Sequence, residues 1–406
     1  MKDSSPRIRR ARRIGIVGGG IIGISIARAL CMTARDHVTV IEKEPRVAAH
    51  QTGHNSGVVH AGIYYEPGSL KARLCAIGRE RTQQFCEEKG LPYRELGKIV
   101  VATSEEQLSR LYALETRAAA NSVPGLRRLN ASELLEIEPH SAGIAALHSP
   151  RTAVVDYTAI TEAMARDVLE AGGAIHLGEE VTGIRRQSRG VDVVTTMNDY
   201  SFDKLIVCAG LQADLVGGMA GADRSPKILP FRGEYWDISP ERAHLVRGMI
   251  YPVPNPNFPF LGVHFTRGVY EQVHVGPNAV PALAREGYSW NEISLRDTAG
   301  SLFWPGAGPL LAKHWRMGMR EISASLVKPL YSRAAQQFIP EVKMGDLTAK
   351  SASGVRAQAW SRDGSLVDDF AVDQLGDVTV LRNAPSPAAT SAMAIADYLI
   401  ANYLPE

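Results

Sequence analysis

Three glycines and one glutamate near the N-terminus have the types and the spacing of a phosphate-binding site. Gly18, Gly20 and Gly23 form a G-x-G-x-x-G sequence, and Glu42 follows nineteen residues after the third glycine. Glycines at these positions allow a tight turn, a close approach of the backbone to a pyrophosphate, and close packing of the following helix. A carboxylate about 20 residues further on hydrogen-bonds ribose hydroxyls. The pattern therefore predicts a dinucleotide site.

The residues around these glycines predict the elements that position them. An apolar run at 14–17 predicts a strand, and apolar residues recur at helical spacing between 24 and 30. A second apolar run at 38–41 ends on Glu42, which completes a βαβ unit. A helix that begins at the glycine turn directs free N–H groups and a partial positive charge towards a phosphate.

The rest of the chain alternates between helical and strand periodicity. Helices are predicted near 68–89, near 104–121, from the N-cap Asp156 to Glu170, and within 291–340. Strands are predicted at 97–102, 174–177, 181–185, 191–196, 204–208, 231–238, 249–253, 260–266 and 272–275. The tail from 354 to 406 predicts a strand, a proline-rich turn and a helix.

A single fingerprint does not separate NAD from FAD, and the residues after Glu42 favour FAD. A flavoenzyme that recycles NAD(P)H usually carries a second G-x-G-x-x-G sequence, and none occurs here. The small, polar segment TGHNSGVVHAG at 52–62 suits a backbone that passes beneath a large flat ring system. An NAD enzyme has little use for such a segment. We therefore expect FAD as the sole cofactor.

The fold class that follows is α/β combined with an antiparallel sheet. A Rossmann-like FAD-binding domain is interleaved with a substrate domain built on a mixed or antiparallel β-sheet, because 406 residues exceed the roughly 250–300 at which single cores stop growing. The predicted FAD-binding domain comprises 1–95, 150–225 and 345–406. The predicted substrate-binding domain comprises 96–149 and 226–344, with 291–340 as its helical segment.

Charge and cysteine content exclude several classes of protein. The 45 Lys and Arg residues barely exceed the 43 Asp and Glu residues, and the excess lies in the Arg-rich start. Nucleic-acid-binding domains usually show a basic face or a pI above about 9, so no nucleic-acid partner is expected. The four cysteines form no C-x-x-C pair. They are predicted to be reduced core residues, and no metal site is predicted.

The apolar runs bear on localisation. No run reaches the 18 or so residues of a spanning helix, and the start lacks the apolar stretch of a secretory signal. We expect a cytoplasmic protein, peripheral on the inner membrane. The Arg-rich start leaves a mitochondrial location as the alternative.

Several blocks of the sequence resemble the L-2-hydroxyglutarate dehydrogenase/oxidase family, within the flavoproteins related to D-amino-acid oxidase. The resemblance covers nearly the whole chain. The blocks are GHNSGVVHAGIYY (53–65), PFRGEY (230–235), YPVP (251–254), FLGVHFTR (260–267), VGPNAV (275–280), REGY (285–288), GVRAQ (354–358) and NAPSPAAT (383–390).

The resemblance implies oxidation of the C2 hydroxyl of L-2-hydroxyglutarate to 2-oxoglutarate, with hydride passing to flavin N5. Such an alcohol needs a base, and His264 and His60 are the candidates because neutral imidazole accepts a proton near neutral pH. A dianionic substrate also needs cationic anchors. Arg356 lies in a segment like the one whose arginine meets the substrate carboxylate in related amine-oxidising flavoproteins.

The remaining predicted site residues fall in the same blocks or in the dinucleotide unit. Predicted substrate-binding residues are Arg232, Arg267, Tyr251 and Thr266. Predicted cofactor-binding residues are Gly18, Gly20, Gly23, Glu42, Lys43, Thr52, Asn55, Ser56, Gly57, Val58, Val181, Gly210, Gly354, Ser386, Pro387 and Ala388. The turn at 383–390 precedes the last helix, whose N-terminus is expected to stabilise negative charge on the reduced flavin.

The helical segment 291–340 also predicts a partner. It combines apolar and cationic side chains in the way that interfacial amphipathic helices do. They are Phe303, Trp304, Leu310, Leu311, Trp315 and Met319, with Lys313, Arg316 and Arg320. The sequence therefore predicts peripheral membrane contact and a quinone-like electron acceptor, with a helical cover over the substrate domain as the competing interpretation and oxygen as the other acceptor.

Three alternatives remain open at the level of sequence. The same fold accepts another 2-hydroxy acid, glycerol-3-phosphate or an amino acid, and an activity panel separates these substrates. A flavin-binding RNA-modification protein would bind tRNA at physiological salt. An inert flavoprotein assembly subunit would show no bleaching of its flavin with any hydroxy acid.

Overall fold

The computed structural model describes residues 10–255, 262–351 and 353–404, without the side chains of residues 311, 313, 314, 317, 320, 324 and 326. The strands are β1 (Arg13–Val17), β2 (His37–Ile41), β3 (Val58–Val59), β4 (Tyr93–Glu95), β5 (Lys98–Ala102), β6 (Arg127–Asn130), β7 (Ala145–Ser149), β8 (Ala153–Val155), β9 (Ala174–His176), β10 (Val181–Arg186), β11 (Val191–Thr195), β12 (Asp199–Phe202), β13 (Lys204–Val207), β14 (Lys227–Gly233), β15 (Trp236–Ile238), β16 (Met249–Pro252), β17 (His264–Arg267), β18 (Val273–Gly276), β19 (Val280–Pro281), β20 (Leu347–Lys350), β21 (Gly354–Trp360), β22 (Ala371–Leu375) and β23 (Val378–Asn383). The α-helices are α1 (Ile21–Cys31), α2 (Leu70–Lys89), α3 (Leu108–Ala120), α4 (Ala131–Ile137), α5 (Tyr157–Glu170), α6 (Ala213–Met219), α7 (Leu295–Leu302), α8 (Ala307–Leu326), α9 (Lys328–Gln336) and α10 (Ala392–Tyr403).

A six-stranded sheet holds the dinucleotide unit, in the order β22-β23-β13-β1-β2-β9. Strand β1 lies inside it and pairs in parallel with β2 and β13. Ile14 and Ile16 are fully buried, as expected for a parallel strand covered on both faces. Helices α1, α5 and α10 contribute to the apolar cluster on one face of the sheet. The glycine turn therefore rests on a rigid support.

An eight-stranded sheet forms the second layer, in the order β20-β15-β18-β17-β16-β5-β7-β6. Its neighbours pair antiparallel except for β16 and β5, which are parallel. Alternate residues of β5 enter different cores, because side chains alternate across a strand. Ile99 and Val101 pack in one cluster, whereas Val100 and Ala102 pack in another, which includes Ile63 from the loop after β3.

A separate three-stranded sheet has the order β19-β14-β21. Its strand β21 carries Arg356. Strands β14 and β21 pair antiparallel over their full length, with Phe231 opposite Arg356 and Arg232 opposite Val355. Residues directly opposite each other in an antiparallel pair share a face of the sheet. Arg356 and Arg232 therefore point to opposite faces.

The predicted fold class is confirmed, since parallel and antiparallel sheets occur with helices in the predicted arrangement. The N-cap of α5 is also as predicted, because the Asp156 carboxylate accepts hydrogen bonds from the backbone N–H groups of Thr158 and Ala159. The domain boundaries given above stay a prediction. Within the described residues, no helix combines the length and the apolar character needed to span a bilayer.

Some predicted elements differ from those observed. The strand predicted at 231–238 is two strands in different sheets, β14 and β15. The chain leaves β14 at Glu234, whose backbone N–H donates to the side chain of Asn278 and not to a neighbouring strand. The segment 291–340 contains three helices, α7, α8 and α9. Residues 260 and 261 of the strand predicted at 260–266 lie outside the described residues, and the described strand there is β17.

Candidate active site

The three glycines of the turn after β1 have different surroundings. Gly18 has φ +109°, and a Cβ there would stand 2.4 Å from the carbonyl oxygen of Cys208. A Cβ on Gly23 would stand 2.0 Å from the carbonyl oxygen of Gly18. A Cβ on Gly20 would meet Thr52 Oγ1 at 3.4 Å, an ordinary contact. Gly18 and Gly23 are thus required by the fold, whereas Gly20 faces free space.

The Glu42 carboxylate closes the other side of this turn. It accepts hydrogen bonds from the backbone N–H groups of Gly19 at 2.6 Å and Glu44 at 2.9 Å. Glu42 lines the same cavity as Gly20. An ionised carboxylate offers about four lone-pair positions, so positions remain for ribose hydroxyls.

The loop after Glu42 is fixed by its own side chains. Thr52 Oγ1 accepts from the backbone N–H of Ile21 at 3.0 Å, which satisfies a free donor at the start of α1. Asn55 Nδ2 donates to the Thr52 carbonyl oxygen at 2.6 Å, and Asn55 Oδ1 accepts from the N–H of Gly57. Gly57 has φ +68°, and a Cβ there would stand 2.5 Å from the carbonyl oxygen of Val155. Gly57 therefore bends the loop at a position that no larger residue fits.

One cavity of about 940 Å³ joins the glycine turn to the larger sheet. Ligand sites usually measure about 300–1,000 Å³, so this cavity has room for a dinucleotide with a small acid. All the predicted cofactor-binding residues except Gly57 lie on its wall: Gly18, Gly20, Gly23, Glu42, Lys43, Thr52, Asn55, Ser56, Val58, Val181, Gly210, Gly354, Ser386, Pro387 and Ala388. The free space at Gly20 and the N–H groups at the start of α1 fit the pyrophosphate of such a cofactor.

His264 lies on the cavity wall with a fixed tautomer. Its Nδ1 donates to the carbonyl oxygen of Gly262 at 2.8 Å, because a carbonyl only accepts. The lone pair of a neutral ring is then on Nε2. The imidazole packs on the ring of Tyr251, with 3.8 Å between centroids. Burial lowers the pKa of His264 to about 3, and the charge of Arg356 acts in the same direction. His264 is therefore a neutral acceptor at physiological pH.

His60 also lies on this wall, after β3. Its backbone N–H donates to Thr390 Oγ1 at 3.1 Å, and its carbonyl oxygen accepts from the Cys75 thiol. Within the described residues its Nδ1 is buried without a hydrogen-bond partner. Burial lowers the pKa of His60 well below its ordinary value, and the positive charge of Lys98 adds to this. The backbone contacts tie His60 to the loop before α10 through Thr390 and to α2 through Cys75.

Arg356 reaches the cavity from β21 and hydrogen-bonds the hydroxyl of Tyr235. Burial raises the pKa of Tyr235, so this phenol stays protonated and can donate. A guanidinium beside a phenolic hydroxyl provides directed donors for a carboxylate. Arg356 and His264 line the same cavity, so the structure brings the predicted anchor and base together.

Arg232 and Arg267 were predicted as further anchors, but the structure directs both away from the cavity wall. Arg232 is fully buried, donates to the Ser289 carbonyl oxygen at 2.7 Å and stacks over the ring of Trp290. Arg267 donates to backbone carbonyls, including that of Val246. Strand alternation accounts for the directions: Arg232 lies on the face of its sheet opposite to Phe231 and Arg356, and Arg267 lies on the face of β17 opposite to His264.

Thr266 and Tyr251, the other predicted substrate-binding residues, form a pair. Their hydroxyls lie 3.4 Å apart, and Tyr251 lines the cavity whereas Thr266 lies behind it. Sequence reasoning missed Tyr64, Tyr65, Lys71 and Tyr235, which also line the cavity. Tyr64 and Tyr65 end the block GHNSGVVHAGIYY and Tyr235 ends the block PFRGEY, so their position beside the residues already singled out was the available signal.

Lys43 belongs to an ion-pair cluster on the cavity wall. Its ammonium lies 2.9 Å from Glu286 Oε2 and 3.0 Å from His50 Nε2, and it also contacts Glu44. Glu44, His50 and Glu286 are close enough together to offer three ligands to a metal ion. The Lys43 ammonium lies among these three residues and supplies the positive charge that a metal ion would otherwise bring. We therefore interpret the cluster as an ion-pair network.

Residues 13–402 match the model of the FAD dependent oxidoreductase family known as DAO. The chain belongs to this family of flavoenzymes, and its cofactor is FAD. The match includes the glycine turn and the C-terminal loop.

Within this family, the chain is similar over nearly its full length to dehydrogenases of one substrate. The chain is 44% identical over 384 residues to L-2-hydroxyglutarate dehydrogenase of Indibacter alkaliphilus, which covers 94% of this chain and 96% of that protein. It is 44% identical over 389 residues to the Escherichia coli K12 protein of the same name, covering 95% and 91%. It is 41% identical over 400 residues to the human mitochondrial L-2-hydroxyglutarate dehydrogenase, covering 94% and 86%.

Solved structures support the fold. An L-alpha-glycerophosphate oxidase from Mycoplasma pneumoniae with FAD bound superimposes with a TM-score of 0.77 at 22% identity, covering 97% of this chain and 94% of that one. Glycine oxidase from Geobacillus kaustophilus gives a TM-score of 0.70 at 20% identity, covering 97% and 94%.

Proposed function

We propose that the protein oxidises L-2-hydroxyglutarate to 2-oxoglutarate. The observation that carries this proposal is the near full-length similarity to dehydrogenases of that substrate, at 41–44% identity. The cavity agrees with it, because a neutral imidazole and a guanidinium meet on one wall. Oxidation of a 2-hydroxy acid requires a base for the hydroxyl and a cation for the carboxylate.

The base is His264. Its Nε2 accepts the C2 hydroxyl proton, while the bond from Nδ1 to the Gly262 carbonyl oxygen holds the ring in place. FAD, when bound, supplies the acceptor for the hydride that leaves C2. The burial that keeps His264 neutral also shields its ring from bulk water. His60 positions the loop on which it lies, through its bond to Thr390.

Arg356 and the Tyr235 hydroxyl bind the carboxylate next to C2. Two donors, one from β21 and one from the turn between β14 and β15, define an orientation for this group, whereas one donor would leave it free to rotate. With the carboxylate and the hydroxyl both held, one face of C2 directs its hydrogen towards the cofactor. We therefore expect strong preference for the L enantiomer.

Residues at both ends of the cavity would hold FAD. The N–H groups at the start of α1 and the free space at Gly20 would accommodate its pyrophosphate, and Glu42 would bind its ribose. Ser386, Pro387 and Ala388 lie on the wall just before α10, where the partial positive charge of a helix N-terminus stabilises negative charge on a bound ring system.

The electron acceptor that we propose is quinone-like and reached at a membrane surface. Large apolar side chains around α7 and α8 are exposed: Phe303 by 87%, Trp315 by 56% and Met319 by 58%. The Arg316 guanidinium lies 5.3 Å from the centroid of the Trp315 ring. Aromatic and basic side chains together favour an interface with anionic lipid. Two further members of the predicted set, Trp304 and Leu310, are half-buried, and the side chains of Leu311, Lys313 and Arg320 lie outside those described.

The proposed location is the cytoplasmic face of the inner membrane, with the mitochondrion as the alternative.

An activity panel tests the proposed reaction. Purified protein with a dye acceptor should convert L-2-hydroxyglutarate to 2-oxoglutarate, and the D enantiomer, malate, glycerol-3-phosphate and glycine should give much lower rates. A higher rate with any of these other compounds would replace the proposed substrate.

A further inference from the structure

A lysine lies buried behind the cavity wall, at the start of β5. Lys98 is 1% exposed, and β5 is an inner strand of the eight-stranded sheet. It shares a face of the strand with Val100 and Ala102, which pack in the same cluster as Ile63 and Tyr251. Its side chain is therefore directed towards the cavity side of the sheet.

Two aromatic rings separate Lys98 from the cavity. Its Nζ lies 4.8 Å from the centroid of the Tyr64 ring and 4.8 Å from that of Tyr251, and both tyrosines line the cavity. Cation–π contacts of this kind are worth about 2 kcal/mol or more each in desolvated sites. Two such contacts do not replace the hydration that a buried ammonium loses.

Lys98 has no carboxylate partner among the described residues, and the contacts found for it are those with the two rings. The neighbouring ionisable groups are not anionic at neutral pH. Burial raises the pKa of the Cys75 thiol to about 12 and lowers the pKa values of His60 and His264. Lysine is almost never fully buried without an anion. An anion bound in the cavity would supply the missing charge.

We propose that Lys98 provides the counter-charge for the second carboxylate of a dicarboxylic substrate, and so makes the cavity selective for dianions over monoanions. This inference rests on the proposed function, in which Arg356 and Tyr235 hold the carboxylate next to C2. Arg232 and Arg267 do not reach the cavity, which leaves the distal carboxylate without an arginine from the predicted set. Lys98 acts through space across the rings of Tyr64 and Tyr251 as a specificity-determining residue.

Lys98→Met is the direct test, with Lys204→Met as its matched control. Lys204 is also the first residue of a buried strand, but it pairs with Asp377 at 2.7 Å, outside the cavity wall. The ligands are glutarate and pentanoate, which have the same chain length and differ by one carboxylate. Their dissociation constants are measured on the FAD-loaded proteins from the perturbation of flavin absorbance.

The expected result is selective loss of dianion affinity. Lys98→Met should weaken glutarate binding by about tenfold or more and pentanoate binding by less than about threefold, since one charge interaction across several ångströms is removed. Lys204→Met should change neither. An equal loss for both ligands, or unchanged glutarate binding, would overturn the inference. The variant should keep its fold, because methionine replaces an unpaired buried charge with an apolar side chain of similar shape.

A second measurement uses the unmodified protein. Burial lowers the pKa of Lys98 to about 7, so raising the pH removes its charge in the free enzyme. The groups that face it or act on the same wall are Tyr64, Tyr251, Cys75, His60, His264, Lys71 and Arg356. The two histidines are already neutral at pH 6.5, and burial raises the pKa values of the tyrosines and the thiol.

The affinity for glutarate relative to pentanoate should therefore fall by about tenfold between pH 6.5 and 9, as expected when one nearby charge is lost. A constant ratio over this range would contradict the inference. Both measurements use binding alone. If the protein binds glutarate selectively through Lys98 but does not oxidise L-2-hydroxyglutarate, the proposed function fails and the inference stands.

Discussion

The Tyr251 ring lies against the His264 imidazole, with 3.8 Å between the ring centroids and 31° between the planes. Together with the bond from Nδ1 to Gly262, this contact orients the Nε2 lone pair. A base held in this way needs no rearrangement before it accepts a proton.

Replacing His264 should impair chemistry more than binding. His264→Ala should lower the rate of flavin reduction at saturating L-2-hydroxyglutarate by roughly 10²–10⁴-fold, the usual contribution of a general base. Rapid anaerobic mixing measures this rate, and His140→Ala, at a half-buried histidine paired with Glu341 outside the cavity wall, is the control. Reduction at the normal rate in His264→Ala would assign the base to His60.

The acid limb of the pH profile should be flat. The pKa of His264 is lowered to about 3 by burial, so the free enzyme keeps a neutral base far below the ordinary histidine value. We expect kcat/KM to stay within about twofold between pH 6.5 and 5.5, because kcat/KM reports ionisations of the free enzyme. A roughly fivefold loss of kcat/KM over this interval, as a single ionisation with an apparent pKa near 6.5 would give, would contradict a buried neutral base.

Arg356 should contribute mainly to binding. Arg356→Ala removes a charge-assisted contact worth about 1.5–3 kcal/mol, so KM should rise by about ten- to a hundredfold. If the same contact aligns C2, kcat falls as well. Arg232→Ala is a poor control because its guanidinium is fully buried, whereas Arg185, on the exposed side of β10, is suitable. Unchanged KM in Arg356→Ala would place the anchor elsewhere.

Two glycine substitutions should fail in different ways. Gly20→Val should give a folded protein without FAD, because its Cβ clashes with no protein atom and the side chain fills the space for the pyrophosphate. Gly23→Val should destabilise the fold itself, because its Cβ would stand 2.0 Å from the Gly18 carbonyl oxygen. Flavin absorbance and thermal unfolding separate the two outcomes. Retention of FAD by Gly20→Val would contradict the proposed pyrophosphate position.

The exposed apolar residues predict binding to anionic vesicles. The protein should float with vesicles of phosphatidylglycerol and phosphatidylethanolamine, and the double variant Phe303→Ser, Trp315→Ser should float much less. Met197→Ser is the matched control, since Met197 is 68% exposed in the hairpin of β11 and β12. If the unmodified protein does not float and turns over rapidly with oxygen alone, the proposal of a quinone-like acceptor at the membrane is wrong.

The cofactor side of the site could be predicted from sequence because it is local. Gly18, Gly20, Gly23 and Glu42 lie within one βαβ unit, so their spacing along the chain determines their spacing in the structure. The loop at 52–58 follows directly and is held by its own Thr52 and Asn55 side chains. No long-range register had to be known.

The substrate side depends on strand pairing, which spacing does not reveal. Arg232 and Arg356 are 124 positions apart (356 minus 232), and their opposite faces follow from the register of β14 with β21. A shift of one residue would exchange Phe231 and Arg232 between faces. Lys98 was missed for a related reason: a lysine at the start of a strand is usually solvated, and only the surrounding sheet buries it.

Anaerobic mixing of the FAD-loaded protein with L-2-hydroxyglutarate tests the central claim most directly. The visible absorbance of the oxidised flavin should be lost fully with about one equivalent of substrate, because the oxidation transfers two electrons to one flavin. 2-Oxoglutarate should form in the same amount. D-2-hydroxyglutarate should leave the absorbance unchanged. An oxidised flavin that persists with excess L-2-hydroxyglutarate, in protein that binds FAD and is folded, would contradict the proposed function.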